Sequence, residues 1–418
     1  MKKRHIGLVI LSLILVCAMA VNLTGCTMTA KAEDLMKGIK PNNVNVIDDL
    51  NLHNADVTDF AIRLFKASEQ GGGNTLVSPL SVLRALAMTV NGAENETLQQ
   101  MEKVLGMKTE DLNMYLYSYM KNLPQGDKYK LKLANSVWFT QAERFTVDKN
   151  FLQTNADYYG ADIYKAPFDN RTCTDINNWV KEKTDEMIPE ILNEISPTAV
   201  MILVNALAFE AEWSEIYEYH QVEDGKFTKE DGTKQEAQFM NSTEDVYLED
   251  DNATGFIKYY KDGKYAFAAM LPKKDVSVSD YVASLDGKAL NALLANPQYA
   301  TVYTSIPKFE AEYTVEMAEI LKTMGMPLAF DYNNAEFSSL GTSSNGNIFI
   351  EKVYHKTYIS VGEKGTKAGA ATAVIMENFF AEPQEPKEVY LDRPFVYMLI
   401  DCENNIPFFI GTMMNVEK

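Results

Sequence analysis

Cysteine and histidine are scarce in this 418-residue chain, four of each, and their scarcity excludes several classes of function. Cys17 lies inside an N-terminal apolar run and Cys26 just beyond it, so Cys173 and Cys402 are the only pair left that could bridge. One possible bridge is not a disulfide framework, and a core of this size needs no staple, so both are expected as free, buried thiols. Once His5 leaves with the N-terminal segment, His53, His220 and His355 stand too far apart in sequence to suggest a metal site, and no metal or cofactor is expected. G-x-S-x-G, H-E-x-x-H, C-x-x-C, a Walker loop and G-x-G-x-x-G are all missing, so no motif supplies a nucleophile with its base, a metal or a phosphate cradle. The one hydrolase arrangement left open is a Ser/His pair assembled from distant segments, Ser78 or Ser81 with His355.

Positive charge is also short. The formal net charge is −19, and removing Lys2, Lys3 and Arg4 with the leader leaves 36 basic against 58 acidic residues, a charge of −22. A binder of phosphate backbones needs a basic face, and no basic run occurs outside the leader, so nucleic acid is not an expected partner. Acidic excess is most often a solubility feature. It could also speed encounter with cationic partners, in which case the association rate falls as salt is added and a flat rate removes the idea.

The N-terminus reads as an address. Lys2 to His5 precede an apolar run from Ile6 to about Val21, followed by Leu23-Thr24-Gly25-Cys26, which resembles a bacterial lipoprotein cleavage box. Residues 1–25 are therefore expected as a signal peptide of lipoprotein type, with Cys26 lipidated and residues 26–53 as a polar tether. Ala18-Met19-Ala20 offers ordinary secretory cleavage instead, so the protein is expected outside the cell, lipid-anchored at the surface or secreted. Membrane contact is expected only through that anchor.

The remainder, 54–418, shows no linker and no repeat, which favours one domain; 46% of the chain is hydrophobic and 23% charged. Periodicity predicts helices over Asn54–Gln70, from Ser78-Pro79 to Val90, and over Ile176–Leu192. Strands are predicted over Leu131–Thr140, Met201–Phe209, Ala266–Pro272, Ala300–Phe309, Ile348–Val361 and Phe395–Asp401. Helices early and strands late, without regular alternation, indicate an α+β class.

One stretch has an unusual pattern. Glu363 to Val374 reads Glu-Lys-Gly-Thr-Lys-Ala-Gly-Ala-Ala-Thr-Ala-Val, with Thr366, Ala368, Ala370, Thr372 and Val374 at even positions and Lys367 at an odd one. In a strand, alternate side chains face opposite ways, so the small and β-branched set could enter a core while Lys367 faces water. No proline occurs between Gly365 and Glu382, so nothing confines such a strand to a sheet edge. Alanine- and glycine-rich runs are commonly loops, and the surrounding blocks decide the reading.

This stretch resembles the reactive-loop hinge of the serpins, the family of large serine-protease inhibitors. Further blocks similar to that family follow in order: Asn74–Thr97, Ile176–Leu192, Met201–Trp213, Ile306–Glu310, Ala335–Leu340, Val353–Gly365 and Asp392–Phe395. The resemblance covers nearly everything from Asn54 to the C-terminus. It implies a single domain of three β-sheets, one long and central and two smaller, with about eight or nine helices and an exposed reactive-centre loop at about 363–390. It implies that Glu363, Gly365, Thr366, Ala368, Gly369, Ala370, Ala371 and Thr372 form the hinge. Ser78, Ser81, Asn205 and His355 match a polar cluster beneath the sheet, where strands part to admit the loop, and Lys308 and Glu363 match an ion pair near the point of first insertion. Family spacing counted from Gly365 puts the cleaved bond between Phe379 and Phe380, which suits chymotrypsin-like proteases. Because the loop runs long before Asp392, cleavage near Val374, Ile375 or Met376, suited to an elastase-like pocket, stays open. The implied activity is inhibition, not catalysis, by a monomer; a non-inhibitory binding or chaperone-like member is the competing reading.

Overall fold

The structure is a computed structural model that describes residues 32–47, 49–69, 72–124, 126–141, 145–196, 199–344, 346–366 and 385–416. Cys26, Ala368, Gly369, Ala370, Ala371, Thr372, Phe379 and Phe380 lie outside the described residues. The N-terminal half runs β1 (Glu33–Asp34), α1 (Asn51–Ser68), β2 (Thr75–Val77), α2 (Pro79–Val90), α3 (Asn95–Leu105), α4 (Thr109–Asn122), β3 (Tyr129–Thr140), β4 (Phe145–Val147), α5 (Lys149–Tyr159), β5 (Asp162–Ala166), α6 (Asn170–Lys183) and β6 (Met201–Glu212). Next come β7 (Val222–Thr228), β8 (Lys234–Glu249), β9 (Ala253–Tyr259), β10 (Tyr265–Pro272), α7 (Val278–Ser284), α8 (Gly287–Ala295), β11 (Gln298–Pro307), β12 (Phe309–Glu316) and α9 (Ala318–Met324). The chain closes with β13 (Gly341–Ser343), β14 (Lys352–Gly362), β15 (Gly365–Thr366), β16 (Lys387–Tyr390), β17 (Phe395–Asp401) and β18 (Ile406–Met413).

Among the described residues there are nine α-helices and three sheets, in an α+β arrangement as the sequence predicts. The long sheet has seven strands in the order β1-β5-β3-β6-β15-β14-β12. A second sheet of nine strands runs β16-β11-β8-β9-β10-β17-β18-β2 with β7 beside β8, and β13 pairs with β4 in a two-stranded ribbon. β8 links the two halves of the larger sheet, pairing with β7 along its first residues and with β9 along its last.

α2 lies beneath the long sheet. Pro79 occupies its first turn, where a missing N–H costs nothing, and Ser78 caps it by accepting a hydrogen bond from the Ser81 N–H. The helix is apolar on nearly every side because it is enclosed on nearly every side; all its residues except Arg84 are buried. Its polar groups must therefore find partners inside the protein.

Three sequence readings are corrected. The helix predicted over Ile176–Leu192 is α6: it starts earlier because Asp169 accepts from the Arg171 and Thr172 N–H groups, and it ends at Lys183. Asp185 and Glu186 then adopt positive φ, 49° and 65°, which no helix continues through. Ile188, Ile191 and Leu192 are buried all the same, and Asn177 accepts from the N–H groups of Ile191 and Leu192. Burial of an extended segment thus mimics helical periodicity there. The strand predicted over Ala300–Phe309 divides at Lys308, with β11 in one sheet and β12 in the other. Finally, residues 32–47 of the predicted tether pack on the domain. β1 pairs with β5 through Glu33–Lys165 and Asp34–Tyr164, the Ile47 N–H donates to Ser118 Oγ, and Leu35, Met36, Ile39 and Ile47 lie against the core.

Both Cys173 and Cys402 are free thiols. Cys173 is buried as expected, whereas Cys402 is half-buried, and desolvation together with the neighbouring Asp401 carboxylate pushes its thiol up to about 12.

Candidate functional site

β6 and β14 pair in parallel from Ile202–Lys352 to Ala208–Tyr358 and no further. Above that point the chain leaves β14 at Gly362, turns through Glu363 and Lys364, and comes back between the two strands as β15. Gly365 stands opposite both Gly362 and Glu212, and Thr366 opposite both Val361 and Ala211, antiparallel on each side. The upper end of the sheet is therefore wedged open by Gly365 and Thr366.

Each part of that wedge has a physical reason. Gly365 holds φ at 142°, and a Cβ there would lie 2.0 Å from the Ala211 carbonyl oxygen, so only glycine fits. The Glu363 and Lys364 carbonyls accept from the Tyr217 and Trp213 N–H groups, and the Trp213 indole N–H donates to the Gly362 carbonyl at 2.8 Å. Thr366 is fully buried. Its hydroxyl shares a 2.7 Å hydrogen bond with the Tyr260 phenol, whose ring stacks on Trp213 at 4.3 Å. Below lies a buried cation: Lys258 is 2% exposed, bonds Glu244 at 2.7 Å and sits over the Tyr217 ring. Burial alone would depress that ammonium, but Tyr217 and Glu244 outweigh it and hold it raised, so it is charged.

Lys308 and Glu363 meet at 2.7 Å, with Lys308 also donating to Gln238. The hydrogen bond from Lys308, against a smaller desolvation penalty, holds the Glu363 carboxyl below its usual range. The pair is partly exposed and is worth at most about 1 kcal/mol. What distinguishes it is its position, clamping the turn to the end of β11.

The polar cluster lies beneath the wedge, where β6 and β14 are joined. Ser78, Ser81, Asn205 and His355 are all fully buried and all in contact. The Ser78 backbone N–H donates to His355 Nε2 at 3.1 Å, which fixes the proton on Nδ1, and Nδ1 donates to Asn205 Oδ1. Asn205 in turn donates to the Tyr354 carbonyl at 3.1 Å. The Ser81 hydroxyl donates to Asn135 Oδ1 at 3.0 Å, and Asn135 returns a bond to the Ser81 carbonyl at 2.9 Å. Strand register aligns Asn135, Asn205 and His355 in one row across β3, β6 and β14. Sequence reading does not single out Asn135, although an amide just before the apolar run Val137–Phe139 is a usable signal. This geometry also disposes of the hydrolase arrangement, because His355 meets the Ser78 backbone, neither serine hydroxyl bonds the imidazole, and solvent reaches none of the three.

Burial pushes the His355 imidazole down to about 3, so it is neutral in the folded protein. An unfolded histidine takes up its proton near pH 6.5. The folded state therefore loses stability as pH falls from that value towards 3, by about 2 kcal/mol at pH 5. Thermal unfolding followed from pH 7 to 5 is expected to show this loss, and His355→Gln to remove that part of the slope. An unchanged slope in the variant would contradict the assignment.

Comparison with known proteins adds the following. A family model described as serpin (serine protease inhibitor) matches residues 55–416. A serpin-like protein of Thermococcus kodakarensis is 29% identical over 368 residues, 86% of this chain and 84% of its own. Among solved structures, the thermophilic serpin tengpin in its native state matches with a TM-score of 0.88 at 48% identity, covering 92% of this chain and 100% of that one. Tengpin in its latent state gives 0.77 at 45% identity, covering 90% and 100%. The conformation described above is thus more similar to the native form than to the latent one.

Proposed function

The chain belongs to the serpin family of serine protease inhibitors, and from that premise we propose that it is a suicide-type trap for chymotrypsin-like or elastase-like enzymes. The observation that carries this reading is the seat of Gly365 and Thr366 between β6 and β14, antiparallel to both. Strand addition of this kind is the known behaviour of serpin loops. Continued inward, the same register brings Ala368 between Phe209 and Ile359, Ala370 between Leu207 and Thr357, and Thr372 between Asn205 and His355. Small and β-branched side chains would fill each position, and the Thr372 hydroxyl would replace the Asn205–His355 bond that insertion breaks.

On this reading the serine of the target attacks the Phe379 carbonyl carbon, the Phe379–Phe380 bond breaks, and the Phe380 nitrogen leaves as an amine. Phe379 stays esterified to the protease. Residues 367–379 are then free to separate β6 from β14 and to pair with each, replacing one parallel ladder by two antiparallel ones. Net hydrogen-bond gains of about 1 kcal/mol per bond, with burial of the small side chains, favour that state. Insertion must outrun hydrolysis of the ester, and the unobstructed hinge is what argues against a non-inhibitory member.

The test is to mix the protein with chymotrypsin and with a neutrophil-type elastase and to analyse the products by denaturing electrophoresis and mass spectrometry. An adduct of summed mass with a released peptide beginning at Phe380 is expected; cleavage by both enzymes with no adduct contradicts the reading. A release beginning after Val374, Ile375 or Met376 would move the bond. We also propose lipidation of Cys26. The residues that pack on the domain begin at Ala32. Cys26→Ser is expected to abolish incorporation of labelled fatty acid into the protein, and undiminished labelling would remove Cys26 as the anchor.

A further inference from the structure

The loop returns to the body at β16, a four-residue edge strand that runs parallel to β11. Register sets Tyr303 beside Glu388 and Ser305 beside Tyr390, so Tyr303, Glu388 and Tyr390 share one face of the sheet. Tyr303 is 43% exposed and Tyr390 40%, and Tyr299, further along β11, is 76% exposed. Thr243 of β8 lies opposite Tyr303 on the same face. Partial desolvation, the Glu388 carboxylate and the nearby Tyr303 push the Tyr390 phenol up, as expected for a compact aromatic and acidic cluster. Exposed tyrosines gathered on one strand pair are unlike scattered surface residues, and tyrosine is enriched among the residues that carry binding energy at interfaces.

We propose that this face of β11 and β16 is a second docking surface for the protease that occupies the reactive loop, and that it receives a basic flank beside the protease's catalytic cleft. The inference rests on the inhibitory reading above. Two observations favour that occupant. The chain from Phe380 to Lys387 reaches at most about 25 Å, while a protease of about 230 residues has a radius of gyration near 17 Å. A protease held at the loop is therefore within reach of the surface into which the loop runs. The second observation is charge: Glu388 on the face and the formal charge of −19 on the whole chain suit a cationic partner and repel a second copy of this chain.

The experiment measures the second-order rate of inhibition of chymotrypsin, a cationic protease, by the full mature protein and by Tyr303→Ala/Tyr390→Ala, with adduct stoichiometry and melting temperature recorded in parallel. The double variant is expected to inhibit about ten-fold more slowly with stoichiometry unchanged, the size typical of losing aromatic anchors. Glu388→Lys, an exposed change that leaves the core intact, is expected to slow association several-fold and to flatten its salt dependence. Tyr332→Ala serves as control. Tyr332 packs on Phe349 below the start of β14, at the far end of that 11-residue strand from the hinge, and its loss is expected to leave the rate alone. Rates within two-fold of the parent for both test variants, with adduct still forming, overturn the docking surface and spare the inhibitory reading. Failure of the parent to form any adduct removes that reading and the docking surface with it. A change in oligomeric state without a change in rate assigns the face to self-association, which also overturns the proposal.

Discussion

Thr366→Arg is expected to turn the inhibitor into a substrate: the protease is still engaged and the loop still cut, but the adduct no longer accumulates. Thr366 is fully buried between Val361 and Ala211, and its hydroxyl is satisfied by Tyr260. An arginine cannot keep that seat in the intact protein, so it starts outside the sheet, and inserting it after cleavage would bring an unpaired charge into the packed layer beside the Trp213–Tyr260 stack, at a cost of several kcal/mol. Slowing insertion through about 3 kcal/mol of added barrier means a rate lower by about 100-fold. Hydrolysis of the ester then wins. The number of inhibitor molecules consumed per protease trapped is expected to rise at least about ten-fold, measured by titrating protease activity against inhibitor. A variant that still traps one for one would show that insertion does not pass through the observed wedge. Thr366→Val, which keeps the β-branched shape and loses only the hydroxyl, is expected to keep trapping.

Phe379→Arg is expected to redirect the inhibitor from chymotrypsin-like to trypsin-like proteases. The side chain before the cleaved bond enters the pocket that sets protease specificity, and an aromatic pocket accepts a buried guanidinium poorly, because nothing there pairs its charge. The exchange leaves the hinge from Glu363 to Thr366 and the cluster around His355 untouched, so trapping itself persists. Inhibition of chymotrypsin is expected to fall and that of trypsin to rise, each on the order of 100-fold or more, read as second-order rates with both enzymes. A variant that kept its original target profile would place the cleaved bond elsewhere, and the Val374–Met376 segment would be the next position to vary.

The sequence makes the frame of this machine legible because its chemistry is local. Ser78-Pro79 announces the start of α2, and the apolar runs from Leu131 and Met201 announce β3 and β6, since an N-cap and a period-two pattern act within a few residues. Glu363 and Lys308 could be paired, and Ser78, Ser81, Asn205 and His355 grouped, only through family resemblance, because strand register brings them together from distant parts of the chain. Asn135 carries no local mark of its place in the cluster, because that place depends on aligning with Asn205 and His355 across two neighbouring strands. Trp213, Tyr260 and Lys258 escape notice for a related reason: aromatic side chains read as core and a lysine reads as surface, and only the tertiary structure shows them gathered at the seat of Thr366. α6 was placed too far along because Asp185 and Glu186 carry no strong mark of the left-handed conformation they adopt. Residues 32–47 read as a tether because their polar sequence conceals four apolar anchors spaced along an extended path.

The central claim is that β6 and β14 part to receive the freed loop. The measurement that tests it most directly is the melting temperature of the protein before and after its loop is cut by a protease that then dissociates. If the loop inserts, residues 367–379 add a strand paired on both sides in the middle of the long sheet, and the cleaved form is expected to melt far above the intact one. If the two forms melt together, the loop stays outside, and the wedge at Gly365 and Thr366 is an ordinary hairpin end that leads nowhere.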